Sequence, residues 1–101
     1  MHITRIRTTP VLAPLPRPVR TASGNIDCFP LVLIDVDTDV GVVGRAYAQV
    51  YLPELLPALD QTLSSLAEMA KGLPLAPRDV HAHLLRRCRL FGMKGMLGVA
   101  L

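Results

Sequence analysis

The sequence predicts a small α+β domain, in which a three-stranded, mainly antiparallel sheet is followed by a helical bundle. Three observations predict it. The chain has 101 residues, enough for one domain. Its first half holds short apolar runs separated by proline, glycine and aspartate. After Tyr51 the apolar period changes to steps of three and four, the period of a helix.

The first strand lies within His2 to Leu12, where Ile3 and Ile6 alternate imperfectly with Thr and Arg. Pro10, Pro14, Pro16 and Pro18 remove ladder donors, so the strand is expected to end or become an irregular edge near Pro10 to Leu15. Pro16 to Cys28 then reads as a loop with a turn at Ser23-Gly24-Asn25. Leu31 to Val36 is apolar on both faces and suits a central strand covered on both sides. Asp37-Thr38-Asp39 with Gly41 reverses the chain into a third strand, Val42 to Ala48, where Gly44 predicts a bulge or a close neighbour.

The helical half starts with Leu52, Leu55, Leu56, Leu59, Leu63, Leu66 and Ala70 on one apolar face. Pro57 is awkward inside a helix, which places the regular start near it. Gly72 fits the left-handed position after the last turn, and Pro74 prevents continuation. A second helix begins near Pro77 with Asp79 in its first turn; Val80, Leu84, Leu85 and Cys88 form its buried face, and Gly92 ends or interrupts it. Met93 to Leu101 reads as the start of a further element.

Composition narrows the function. Apolar residues make up 50% of the chain. The mean hydropathy of +0.38 is high for a small domain, so some apolar surface is expected to meet a partner or further chain. The net charge is +3, but basic residues are scattered and aromatics few, which argues against a nucleic-acid surface. Cys28 and Cys88 read as two reduced thiols rather than a disulfide framework. The N-terminus lacks an apolar signal core and no run is long enough to span a bilayer, so the expected location is the cytoplasm.

No constellation supplies chemistry. His81 and His83 are two apart, about 200° around a helix, and point to nearly opposite sides. Asp35, Asp37 and Asp39 share a face of a strand and could meet Mg²⁺ or Ca²⁺, but turn formation accounts for Asp37 and Asp39. Cys28 has no adjacent base and Cys88 lies on an apolar helical face. Arg86, Arg87 and Arg89 read as a solvated helix face, with an interdomain or subunit ion pair as the second reading. No catalytic residue is assigned.

The hairpin Pro30-Leu31-Val32-Leu33-Ile34-Asp35 with Gly41-Val42-Val43-Gly44 resembles the N-terminal capping domain of the enolase superfamily. Pro18-Val19-Arg20-Thr21-Ala22-Ser23-Gly24, Tyr47, Tyr51-Leu52-Pro53 and Pro74-Leu75-Ala76-Pro77 direct the resemblance to the mandelate racemase/muconate lactonizing enzyme group, closest to mandelate racemase. The resemblance covers essentially the whole chain. It implies an α+β cap over a (β/α)-barrel that would carry the Mg²⁺ ligands and the acid/base residues. Residues 1–101 would then be an incomplete cap without its barrel, inactive alone, from an isomerase (racemase) or a lyase.

The same resemblance implies two specificity loops, Pro18 to Cys28 and Ala48 to Pro53, with Val19, Ile26 and Tyr51 in an apolar pocket wall and Thr21 beside them. A small carboxylate substrate and a homo-oligomer are the implied partners. Arg17, Arg20, Asp27 and Gln49 depart from the pattern toward polarity, which admits a sugar-acid dehydratase or a cycloisomerase of the same superfamily. A stand-alone binding domain without a barrel is the reading from another class.

Overall fold

Proline decides how the first strand runs. The computed structural model describes residues 1–21, 24–50, 52–91 and 100–101; at Thr21, Ile26 and Phe91 the description is of the backbone. Strand β1 spans Ile3–Thr21, β2 Gly24–Thr38 and β3 Val43–Gln49, in one antiparallel sheet of order β1-β2-β3. The three-stranded sheet is as the sequence predicts, and of the two outcomes expected for β1 the irregular edge holds, with its register breaking after Pro14; most of the expected Pro16–Cys28 loop, however, is strand.

The register explains the difference. The Pro30 carbonyl accepts the Val50 amide at 3.2 Å, so the backbone polar groups of Pro30 face β3. Pro30 pairs with Leu12, whose N–H and C=O must then face away from β2. By alternation the same holds for Pro10, opposite Val32, and Pro14, opposite Cys28. Their missing donors lie on the outer edge and cost the ladder nothing. Between Pro14 and Val19 the register shifts, and Leu15-Pro16-Arg17-Pro18 oppose only Asp27. Pro16 and Pro18 therefore sit in a bulge.

The start of β1 is covered along its outer edge. Ile3 donates to the Leu73 carbonyl at 2.9 Å and accepts from the Gly72 amide at 2.8 Å. The β2–β3 turn closes as expected, with Gly41 at φ 82° and the Thr38 hydroxyl donating to the Val42 carbonyl at 2.8 Å. Gly44 makes no bulge: the β2–β3 register is unbroken through it, and a Cβ there would touch only the Val36 Cβ at 4.0 Å. Asp37 lies within β2 rather than in the turn.

Helix α1 spans Leu56–Ala70 and α2 Pro77–Cys88, with 3₁₀ turns at Pro53–Leu55 and Arg89–Phe91. Pro57 occupies the first turn of α1, where no hydrogen bond is lost. Lys71 ends the helix and Gly72, at φ 84°, turns the chain away. Leu52 and Leu55 do not join the buried face expected of them; they precede α1 and are exposed. Gly92 and residues 93–99 of the tail lie outside the described residues.

Alternate residues of all three strands face α1. Val32 and Ala48 pack with Leu56, Leu59 and Leu63 from the first half of the helix. Leu66 and Ala70, from its second half, pack with Leu84 and Cys88 of α2. Each of these valine and leucine side chains contributes about 1.5–3 kcal/mol when fully buried. The Thr8 and Ser64 hydroxyls, 3.1 Å apart, tie β1 to α1 within this layer. The opposite face of the sheet is not covered by either helix: Leu33 is 43% and Tyr47 68% exposed. The expected two-sided cover of Leu31–Val36 is therefore one-sided among the described residues.

Candidate functional site

The site begins where the sheet narrows. β3 ends at Gln49, opposite Leu31, and β1 and β2 continue without it. They pair through Ala13–Phe29 and Pro14–Cys28, then through Val19–Ile26 and Arg20–Asn25 to Thr21–Gly24. From Pro30 to Gly24 this two-stranded arm is about 20 Å long at ~3.3 Å per residue. The radius of gyration, 15.0 Å, exceeds the ~13 Å of a rounded 100-residue domain, as an arm requires. A lone two-stranded ribbon is marginally stable in water.

Val19 and Ile26 are direct cross-strand partners near the tip of the arm. Sequence reasoning placed them in one loop; the register places them opposite each other on paired strands. Val19 is 43% exposed. Thr21 pairs with Gly24, whose φ is 129°. Tyr51 lies outside the described residues. The second segment also changes: Ala48 is buried in the core and Gln49 belongs to β3, so the connection starts at Val50. It leaves the sheet beside Pro30, at the root of the arm.

Leu12, Leu52 and Leu55 are large apolar side chains that the sequence reading did not single out as exposed. They are 55%, 57% and 44% exposed. Leu12 also lines a groove of about 640 Å³ between Pro10–Leu12 and the start of α1. Asp60 lines the same groove, and its Oδ1 is shielded from solvent without a hydrogen-bond partner among the described residues. The signal for Leu12 was present: it sits between Pro10 and Pro14, on the stretch where β1 runs past the helix. Leu52 and Leu55 were hidden by their helical spacing.

A second groove, about 420 Å³, lies between the Gly44 end of the sheet and α2 and is lined by Ile3, Ile6, Val36, Val80 and Leu84. Among the described residues its ionisable side chains are Arg45 and His81. His81 is exposed and His83 partly buried on another side of α2.

The described residues do not fit a divalent metal. Asp35 and Asp37 share the outer face of β2, as predicted, but Arg7 spans them at 3.6 and 2.9 Å. Asp39 stands apart in the turn, accepting the His2 backbone N–H at 3.0 Å. That bond, with the nearby N-terminal and His2 charges, holds the Asp39 carboxyl below its ordinary value against slight desolvation. Among the described residues no group of three or more His, Cys, Asp or Glu could hold a metal ion. No helix among them is long and apolar enough to cross a membrane.

No family model matches the chain. Solved structures do. An enolase from Bradyrhizobium complexed with magnesium and mandelic acid matches 98% of the chain at 37% identity and a TM-score of 0.89. An enolase from an alphaproteobacterium, BAL199, with bound Mg matches 98% at 33% identity and the same TM-score. A muconate lactonizing enzyme from Mycobacterium smegmatis complexed with muconolactone matches 85% at 31% identity and a TM-score of 0.75. The chain spans about a quarter of the length of these structures: 27%, 27% and 25%. A mandelate racemase/muconate lactonizing enzyme-like protein from Rubrobacter xylanophilus shares the fold at 20% identity and a TM-score of 0.82. The fold is thus that of the N-terminal capping domain of enolases.

Proposed function

We propose that this chain is the substrate-specificity cap of a Mg²⁺-dependent enzyme of the mandelate racemase/muconate lactonizing enzyme group, and that it is inactive alone. The observation that carries the reading is the arm. It projects beyond the sheet, and it is part of a chain that aligns over 98% of its length with enolases holding magnesium. The reaction would be proton abstraction α to a carboxylate, which needs water excluded from the reacting centre. An arm on which Val19 pairs with Ile26, with Thr21 near its end and Tyr51 in the segment after β3, would supply the apolar wall. Metal ligands and acid/base groups would belong to a barrel outside these 101 residues, against which exposed apolar side chains such as Leu12, Leu52 and Leu55 would rest.

A second reading within the same group is favoured by exposed charge on the arm. Arg17, Arg20 and Asp27 are exposed and Gln49 is half-buried at its root. They suit a hydroxylated substrate, and the reaction would then be a sugar-acid dehydration.

The first test is direct. The purified 101-residue chain, supplied with Mg²⁺ and either enantiomer of mandelate, is expected to leave the optical rotation unchanged; turnover would overturn the reading. In the enzyme with its barrel, Val19→Asp is expected to raise KM for an aromatic 2-hydroxy acid by about tenfold or more, as loss of an apolar contact does. If the same change leaves mandelate KM untouched but alters that for a sugar acid, the dehydratase reading replaces the racemase one.

A further inference from the structure

The two edges of the sheet are treated differently. β1 carries Pro10 and Pro14 with their missing donors outward, a bulge at residues 15–18, and a covered start against Leu73. These devices blunt an edge against pairing with other strands. β3 has no proline or bulge, and among the described residues nothing pairs with its outer side. We propose that β3 pairs antiparallel with β3 of a second copy of this chain, about a two-fold axis at Ala46, giving one continuous sheet across the dimer.

The register follows from the backbone. Pro30 faces β3, so Val32, Ile34 and Val36 do too, bonded to Ala48, Ala46 and Gly44. The N–H and C=O groups of Val43, Arg45, Tyr47 and Gln49 must therefore point outward. Centring on Ala46 uses the whole strand and sets each Val43 opposite the other copy's Gln49. It sets each Arg45 opposite the other copy's Tyr47, twice by symmetry. These are the two most exposed side chains of the strand's outer face, Arg45 at 81% and Tyr47 at 68%. A guanidinium beside a tyrosine ring is a favourable cross-strand pair.

Neighbouring registers are worse. Centring on Arg45 opposes like charges; centring on Tyr47 leaves Val43 unpaired. On the helix-facing side the strand carries only Gly44, Ala46 and Ala48, so nothing bulky hinders approach. This self-complementarity is the reason to name a second copy of the chain as the occupant.

One strand pair is a small interface, so the dimer is expected in the weak class, forming over about 10 µM to 1 mM. Sedimentation velocity of the chain across that range is expected to move from monomer toward dimer. Tyr47→Pro removes an outward N–H and no inward one, and is expected to abolish the shift while the far-ultraviolet spectrum stays unchanged. Amide exchange offers a second readout if that variant fails to fold. In the unaltered chain, Val43, Arg45, Tyr47 and Gln49 should gain protection with concentration, while Gly44, Ala46 and Ala48 are protected throughout. A monomer at all concentrations, a dimer that survives Tyr47→Pro, or exchange at the outward amides that ignores concentration would overturn the proposal.

Discussion

The two faces of the sheet are made from alternate residues of the same strands, yet they differ in kind. On the helix side Val32 is fully buried and Ala48 is 8% exposed, packed on Leu59, itself fully buried. On the other side, one residue along, Leu33 is 43% and Tyr47 68% exposed. The open face is also divided along its length. Toward the turn it carries Arg7, Asp35, Asp37 and Arg45 in one ion-pair cluster. Toward the arm it carries Val11, Phe29, Leu31 and Leu33, which are half-buried or exposed. Strand composition does not decide burial here. Leu31 to Val36 is mostly apolar on both faces, but the chain supplies α1 to one face only, and α2 packs on α1 rather than on the sheet's other side.

The strongest way to break that comparison is a matched pair of truncations. Leu59→Ala empties a site with no solvent access and is expected to cost about 2–5 kcal/mol, read as a lower urea midpoint. Leu33→Ala, on the open face, is expected to stay within about 0.5 kcal/mol. A large loss from Leu33→Ala would mean that the open face is covered in solution.

The ion-pair cluster sharpens the comparison at a smaller scale. Arg7 Nη2 donates to Asp37 Oδ1 at 2.9 Å and reaches Asp35 Oδ2 at 3.6 Å, while Arg45 Nε approaches Asp35 Oδ1 at 3.6 Å. These side chains are partly solvated, Arg7 at 40% and Asp35 at 34%, so screening limits what they contribute. Arg7→Met is expected to cost about 0.5–1 kcal/mol in low salt and measurably less at ~1 M, where the Debye length is ~3 Å. Denaturation at the two salt concentrations checks it; a loss that ignores salt would assign Arg7 a packing role.

Much of this was legible in the sequence, for reasons that particular residues make plain. Gly72 and Pro74 marked the end of α1 because a left-handed residue and a missing N–H leave a helix no alternative. Leu59, Leu63 and Leu66 marked its buried face by spacing alone. The Pro16–Cys28 loop was misjudged because, of the two outcomes open to a proline-rich β1, ending or running on as an irregular edge, the sequence does not say which the sheet selects. Edge position is a property of the assembled sheet, and Pro10 and Pro14 became harmless once their N atoms faced outward. The cover on Leu31–Val36 was misjudged for a related reason: a strand's pattern cannot say how many helices the chain will bring to it. Val19 and Ile26 were found as residues of one segment, whereas their pairing across the arm depended on the bulge at 15–18.

The smallest expected effect sits at the turn, where both faces end. Asp39 is solvent-exposed and its carboxyl is held below its ordinary value, first by the His2 backbone N–H donated to Oδ1 at 3.0 Å. The unfolded chain offers no such bond, so there the carboxyl titrates near 3.8. A depressed folded-state value means that the contribution is present above the unfolded value and is lost as pH falls through the folded one. Asp39→Asn keeps an acceptor for the His2 amide but carries no charge, so it should remove this acid sensitivity while leaving the turn in place. Between pH 7 and pH 3 the unaltered chain should lose slightly more thermal stability than Asp39→Asn. Equal losses would mean that the Asp39 carboxylate and its bond to the His2 amide contribute nothing to the acid response.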